Sequence, residues 1–312
     1  MWFKTLYIEN SERLRLHLDN LVVDDLDKQI TFSINDIQML IIDNSKTTLS
    51  VRLINKLAEN NVTTILCGID HLPYTIALPI NGNFESSGNI SLQINWNKET
   101  KGYIQKEIVR NKILHQSEIL MHNSKDINVI NKIEKYADEV KDFDVTNREG
   151  LAAKMYFREL FGKEFIRFND DVVNAGLNYG YAILRSTITS IIVGRGYLCN
   201  LGIFHKGKSN MFNLSDDIIE VFRPIVDNYV YNNMTEEIIF KQKHREELLQ
   251  LLSKKIKIDS TFQTIPNAMS KYIDSILKSL NNDIVDIKFP SVIIKDDLWF
   301  YEINIIFWFT NE

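Results

Sequence analysis

The apolar residues of this 312-residue chain change their spacing once, and that change limits what the chain can fold into. Up to about residue 80 they alternate with polar residues or fall in short runs between polar turns, at residues 5–9, 13–18, 21–24, 29–34, 39–43, 62–67 and 74–80. A period of two marks strands with one buried face. Asp19-Asn20 suits a hairpin turn, and Ser50 can cap a short helix through Leu53, Ile54 and Leu57. Later the spacing becomes helical, over residues 104–121, 129–140, 148–161, 172–193, 218–230 and 235–252, and strand signals largely stop. Between the two regimes, residues 81–97 are polar and carry Asn81-Gly82-Asn83 and Glu85-Ser86-Ser87-Gly88-Asn89, the chemistry of a linker. The chain thus reads as α+β: a β-rich N-terminal domain at 1–80, a linker at 81–97, an all-α C-terminal domain at 98–290 and a C-terminal extension at 291–312.

At 45% hydrophobic residues the chain can bury a sizeable core, which argues against disorder. Its 36 Lys and Arg against 41 Asp and Glu give a formal charge of −5, so any nucleic-acid contact must come from basic residues segregated onto one surface. Cys67 and Cys199 fit buried thiols in a reducing compartment better than a disulfide or a zinc site. Met1-Trp2-Phe3-Lys4 leads into the first alternating segment without the features of a secretory signal, and residues 298–309 are interrupted by Glu302 and Asn304. That last segment is also shorter than the roughly 20 residues that span a bilayer. A soluble, cytoplasmic protein with no membrane partner is expected.

The stretch from Gly202 to Pro224 carries the densest chemistry. His205 is followed by Lys206 and Lys208, then by Asp217 and Glu220, which lie three apart and so on one helix face. An imidazole and a carboxylate can share a divalent ion. The same residues also suit an ordinary structural histidine and a helix-start box at Asp217-x-x-Glu220. Glu149 has the same two readings: it follows Thr146 and Asn147, either of which can cap a helix, and it precedes the small residues Gly150, Ala152 and Ala153, which allow close approach. The run 169–184 puts Gly176 and Gly180 into a helix that should be buried, a placement only close packing can compensate; Asn174, Asn178 and Tyr181 share its helical spacing. Lys206, Lys208 and Arg223 flank the carboxylates, and Lys254-Lys255-Ile256-Lys257 forms a separate basic patch. His17, His71, His115, His122 and His244 lack an acidic pattern and read as surface or packing residues. No phosphate-binding glycine loop, His-Glu-x-x-His or Gly-x-Ser-x-Gly occurs, which disfavours a nucleotide-driven enzyme and a serine hydrolase.

Three segments taken together, Asn147-Arg-Glu149-Gly-x-Ala-Ala, Val173-Asn174-Ala-Gly-Leu-Asn-Tyr-Gly-Tyr181, and His205 followed by Asp217-Ile-Ile-Glu220-x-Phe-Arg-Pro224, resemble the Cas-one integrases of CRISPR adaptation, most closely their type II branch. The resemblance runs from about Trp2 into the 280s. It implies a catalytic metal site of Glu149, His205 and Glu220 that takes Mg²⁺ or Mn²⁺, with Asp217 in support and Lys206, Lys208 and Arg223 toward DNA. Many family members carry Asp where this chain has Glu220; the Phe222-Arg223-Pro224 anchor favours Glu220 over Asp217 as the ligand. The implied activity is a metal-dependent DNA endonuclease and integrase that inserts short fragments at the leader–repeat end of a CRISPR array, by 3′-hydroxyl attack on a phosphodiester. The implied partners are a second copy of the chain bound through the β-rich domain, a dimer of the small ferredoxin-like Cas-two protein, and double-stranded DNA. In the type II setting an RNA-guided effector nuclease and a ring-forming DNA-end-binding protein join them. The competing readings are a noncatalytic DNA-binding scaffold and a branched-DNA repair nuclease.

Overall fold

The computed structural model describes residues 4–11, 13–25, 28–77 and 83–294, which fall into two compact units: one up to Ser86 that includes Val193–Gly196, and one over Ser87–Ile192 and from Tyr197 on. In the first unit the alternating runs become strands β1 (Lys4–Ile8), β2 (Arg13–His17), β3 (Asn20–Asp25), β4 (Lys28–Ser33), β5 (Ile37–Ile42), β6 (Thr48–Leu49), β7 (Thr63–Cys67) and β8 (Pro73–Ala77), with helix α1 (Val51–Glu59) between β6 and β7. One sheet has the order β1-β5-β7-β8, parallel except for β8; the other has the order β4-β3-β2-β6. Leu6, Ile8, Leu40 and Ile42 of the first sheet, Leu14, Leu21, Val23 and Phe32 of the second, and Leu53 and Leu57 of α1 close into one core. Each such side chain contributes about 1.5–3 kcal/mol on burial.

The Ser50 hydroxyl accepts the Leu53 amide at 3.2 Å, as a cap should. The hairpin turn sits one residue earlier than Asp19-Asn20: Leu18 and Asp19 have φ of 45° and 59°, the left-handed pair that a two-residue hairpin loop needs. Asn20 opens β3 and donates its amide back to the Leu18 carbonyl.

The second unit contains α2 (Ser86–Ile94), α3 (Lys98–His122), α4 (Ile127–Asp138), α5 (Arg148–Phe161), α6 (Val172–Gly194), α7 (Asn213–Ile219), α8 (Arg223–Met234), α9 (Gln242–Gln250), the hairpin β9 (Lys255–Ile258) and β10 (Thr261–Thr264), and α10 (Ile265–Asn282). Three expectations change here. The supposed linker 81–97 contains α2, whose Gln93 is buried and bonded on both ends of its amide. Local Gly and Ser content hid a helix that tertiary contacts stabilise. Residues 218–230 are two helices rather than one, broken at Glu220–Phe222, because Pro224 has no amide hydrogen and serves in the first turn of α8. The Lys254–Lys257 patch opens β9: Ile256 and Ile258 alternate inward, and a turn at Asp259 and Ser260 with positive φ reverses the chain. Of the C-terminal extension, Ser291 donates its amide to the Lys257 carbonyl and Val292 is buried; 295–312 lie outside the described residues.

The glycines of α6 have the packing role their cost demanded. A Cβ on Gly176 would stand 2.6 Å from Met234 Cε, and one on Gly180 would stand 2.5 Å from Val226 Cγ1, so α8 lies directly against α6. Beside that contact Asp227 of α8 is buried and accepts hydrogen bonds from Tyr156 of α5 at 3.0 Å and from Tyr181 of α6. Three helices therefore meet at one carboxylate. Burial pushes that carboxyl up to about 6, although the two phenols and Arg223 pull the other way.

Gly180→Ala should lower stability by about 1–3 kcal/mol through overpacking. Adding Val226→Ala should return part of that loss, and strictly additive urea-unfolding energies would refute the contact. A second expectation concerns pH. The folded Asp227 carboxyl titrates near 6 while the unfolded one titrates near its ordinary value, so between the two the native state keeps a proton that the unfolded chain has lost. This group's contribution to stability is then present at low pH and is lost as pH rises toward 6. The nontitrating Asp227→Asn should gain on the parent by about 2 kcal/mol between pH 4.5 and 7 in denaturant melts; parallel stability profiles would contradict the shift.

Candidate active site

Glu149 sits in the first turn of α5. The cap is neither Thr146 nor Asn147: the Asp144 carboxylate accepts the Arg148 and Glu149 amides at 2.8 and 3.0 Å, while Asn147 turns the chain at φ 51°. Asp144 reaches across three residues, a local bond that several nearby polar residues could equally have made. From that cap the Glu149 carboxylate extends to Lys112 of α3, with Oε1 2.5 Å from Nζ.

The Lys112 ammonium also contacts Glu220, which lies where α7 ends. Two carboxylates from separate helices thus converge on one cation. Glu220 is 4% exposed, and Arg223 Nε stands 3.1 Å from its Oε1. Burial would raise the Glu220 carboxyl, but Arg223 and Lys112 outweigh it and hold it below its usual range. Burial would likewise depress the Lys112 ammonium, and Glu220 and Glu149 instead hold it above. Glu220 Oε2 makes no well-directed hydrogen bond despite being buried. The break that carries Glu220 is fixed from α3, where the buried His115 donates Nδ1–H to the Val221 carbonyl at 2.8 Å.

His205 lies on the loop between α6 and α7, and that loop is held at three points. Gln93 donates to the carbonyls of Leu198 and Leu201 at 2.8 and 2.9 Å. Asn213 donates to Asn200 and Gly207 and accepts from Gly207. Asp217, fully buried, accepts the backbone amides of Ile203, Phe204 and His205 and the His205 ring at Nδ1, 2.6 Å away. Gly202 is required where the loop wraps Asp217, since a Cβ there would lie 2.8 Å from Oδ2 and 2.5 Å from the His205 carbonyl. Asp217 therefore caps this loop, not its own helix as expected from sequence. With both of its oxygens so engaged it orients the ring, leaving Nε2 as the nitrogen open to a ligand. The bond to Asp217 raises the His205 pKa, and the nearby Glu220 charge adds to that.

The basic residues divide. Lys206 and Lys208 are exposed on the His205 loop. Lys101, at the start of α3, was not singled out in the sequence; burial first and then the neighbouring Lys206 charge lower its pKa. Arg223, expected toward DNA, is mostly buried, paired with Glu220 and stacked 4.6 Å from the Tyr181 ring, so its place is behind the carboxylate. Asn174 and Asn178 bond to Arg167 rather than projecting free. Lys112 was missed as well, although it stands four residues after Ile108 and four before Gln116 on the buried stripe of α3, and a lysine in such a stripe is a legible signal.

Carboxylate and imidazole donors suit Mg²⁺ or Mn²⁺, and Glu149 and Glu220 already share a cation, through Oε1 of the first and Oε2 of the second. The residues fit a divalent ion in kind. They are not drawn to ligand spacing: among the described residues only Glu9, Asp43 and His71, in the β-rich unit, bring three potential ligand atoms within 4.8 Å of one another.

The family model for CRISPR associated protein Cas1 matches residues 6–258. In sequence the chain is 30% identical to the CRISPR-associated endonuclease Cas1 of Neisseria meningitidis serogroup C (strain 8013), over 94% of this chain and 97% of that one. In fold it is similar to a casposase bound to integration product, with a TM-score of 0.73, 19% identity and 92% of each chain covered. It is also similar to a chain of a Cas6-RT-Cas1–Cas2 complex, with a TM-score of 0.70, 18% identity, and 90% of this chain and 35% of that one covered. No described helix is long and apolar enough to cross a membrane. A family match over most of the chain, carried on a fold that casposase shares, means that this chain belongs to the Cas1 family of endonucleases and integrases.

Proposed function

We propose that this chain is the metal-dependent DNA integrase of a type II CRISPR adaptation system, working in the cytoplasm with Glu149, His205 and Glu220 as the residues that hold Mg²⁺ or Mn²⁺. The observation that carries this reading is the convergence of Glu149 and Glu220 on one cation beside a histidine whose Nδ1 is already committed to Asp217. A bound divalent ion would polarise the scissile phosphate and stabilise charge on the attacking and departing oxygens. Asp217 keeps the ring in the tautomer that offers Nε2, Arg223 fixes the Glu220 carboxylate, and the exposed Lys206 and Lys208 meet the DNA backbone. In the exchange, the 3′-hydroxyl of a DNA fragment forms one P–O bond as the leader–repeat strand gives up another. One phosphodiester replaces one phosphodiester, so ATP is not needed.

The β-rich unit is the dimerisation surface in this reading. Its support is the apolar surface left uncovered at Ile69 and Tyr74, which are 93% and 88% exposed beside the edge strand β8. A Cas2-like dimer and double-stranded DNA complete the assembly; the Cas6-RT-Cas1–Cas2 neighbour lends the first of these and the casposase complex the second. In the type II setting the RNA-guided effector nuclease and a ring-forming DNA-end-binding protein are the further partners.

His205→Ala and Glu220→Gln should reduce Mn²⁺-dependent joining of a 3′-hydroxyl fragment to a leader–repeat duplex by orders of magnitude, with DNA affinity nearly unchanged. Asp217→Asn acts through the ring it orients and the loop it holds, and should cost about 10–100-fold. Near-normal joining by His205→Ala would remove it from the metal site, and a dead Asp217→Asn beside an active Glu220→Gln would invert the assignment. Separately, a body starting at Ser86, which keeps Gln93 and Trp96, should run as a monomer in light scattering where the full chain runs as a dimer. A dimeric body would place the interface elsewhere.

A further inference from the structure

Lys112 stands where the proposed metal site would need its ion. We infer that Lys112 is a displaceable counter-cation, a positioning residue that keeps divalent metal binding weak until DNA supplies phosphate; this rests on the metal-site reading above. Its side chain is 12% exposed, and its ammonium touches the carboxylates of both Glu149 and Glu220. With Arg223 on the other oxygen of Glu220, the two glutamates face two cations, and the charges of these four groups balance. Adding a divalent ion to the same two carboxylates with Lys112 in place would set two further positive charges against groups whose charges Lys112 and Arg223 already balance, in a mostly buried pocket where charge interactions are several times stronger than in water. The ammonium must therefore leave at least one carboxylate for a metal to be held by both.

The arrangement has two consequences. Without metal, Lys112 prevents Glu149 and Glu220 from facing each other as unpaired like charges, which would otherwise strain the junction of α5 with the end of α7. With DNA present, a phosphodiester offers the displaced ammonium a new anionic partner and offsets the charge of the incoming ion. Metal and DNA should thus bind with positive coupling, each strengthening the other by the same factor.

The test measures Mn²⁺ affinity of the full chain by calorimetry, with and without a short DNA duplex. Lys112→Gln keeps a hydrogen-bonding side chain but removes the charge, and should bind Mn²⁺ at least tenfold more tightly than the parent in the absence of DNA. Lys112→Arg keeps the charge and should stay weak. Added duplex should tighten Mn²⁺ binding by the parent far more than by Lys112→Gln. If Lys112→Gln folds only when Mn²⁺ is supplied, that rescue in a thermal melt supports the same conclusion, and failure of Mn²⁺ to rescue it overturns it. Equal or weaker Mn²⁺ binding by Lys112→Gln also overturns the role of Lys112. His205→Ala separates the two levels of the argument: Mn²⁺ binding lost with His205 but indifferent to Lys112 leaves the metal site standing without this device, whereas binding indifferent to His205 removes the metal site itself.

Discussion

The buried carboxylate of Asp217 is the interaction on which the site depends. A fully desolvated carboxylate is costly unless its oxygens are satisfied, and here three successive backbone amides and one imidazole satisfy them. The amides belong to the loop that must deliver His205, so the bonds that make Asp217 tolerable also fix the loop. Gly202 exists in this role because any side chain would collide with the wrapped carboxylate. Gln93 and Asn213 then fasten the two flanks of the same loop, and the segment 195–212, without regular structure, becomes a held mount.

Charge balance organises the other half of the site. Lys112 and Arg223 face Glu149 and Glu220, and the Arg223–Glu220 pair is supported from behind: Arg223 lies on the Tyr181 ring, and Tyr181 donates to Asp227, which also receives Tyr156. The glycines of α6 let α8 come close enough for that network to form. A chain of contacts thus joins helix packing to the position of one carboxylate, so substitutions at Gly180 or Asp227 bear on the site without touching it. That the Asp227 carboxyl titrates near 6 reflects the same burial.

The two units differ in how far local pattern decides them. In the β-rich unit, period two sets which residues face the core, and a slip of one residue would turn Leu14, Leu21 and Val23 outward. Strand positions there follow the sequence closely, and even the misplaced turn moved by a single residue. In the helical unit, period 3.6 located α3, α4, α5 and α6, but it could not see that Pro224 would split one helix into two, or that alternating Lys and Ile would make β9.

By itself the sequence determined the switch from strands to helices near residue 80, the family, and the residue types that could hold a metal, because periodicity and the joint presence of Glu149, His205 and Glu220 with their neighbours are properties of the chain. It could not determine partners. Whether Asp217 caps its own helix or a distant loop, which carboxylate Arg223 pairs with, and whether Lys112 is a surface lysine or the cation between two acids all depend on which groups from distant elements arrive at the same point. Only the tertiary structure decided these, because a buried charge takes its role from the opposite charge that folding places beside it, and α3, α5 and the end of α7 bring those charges together from residues as far apart as Lys112 and Glu220.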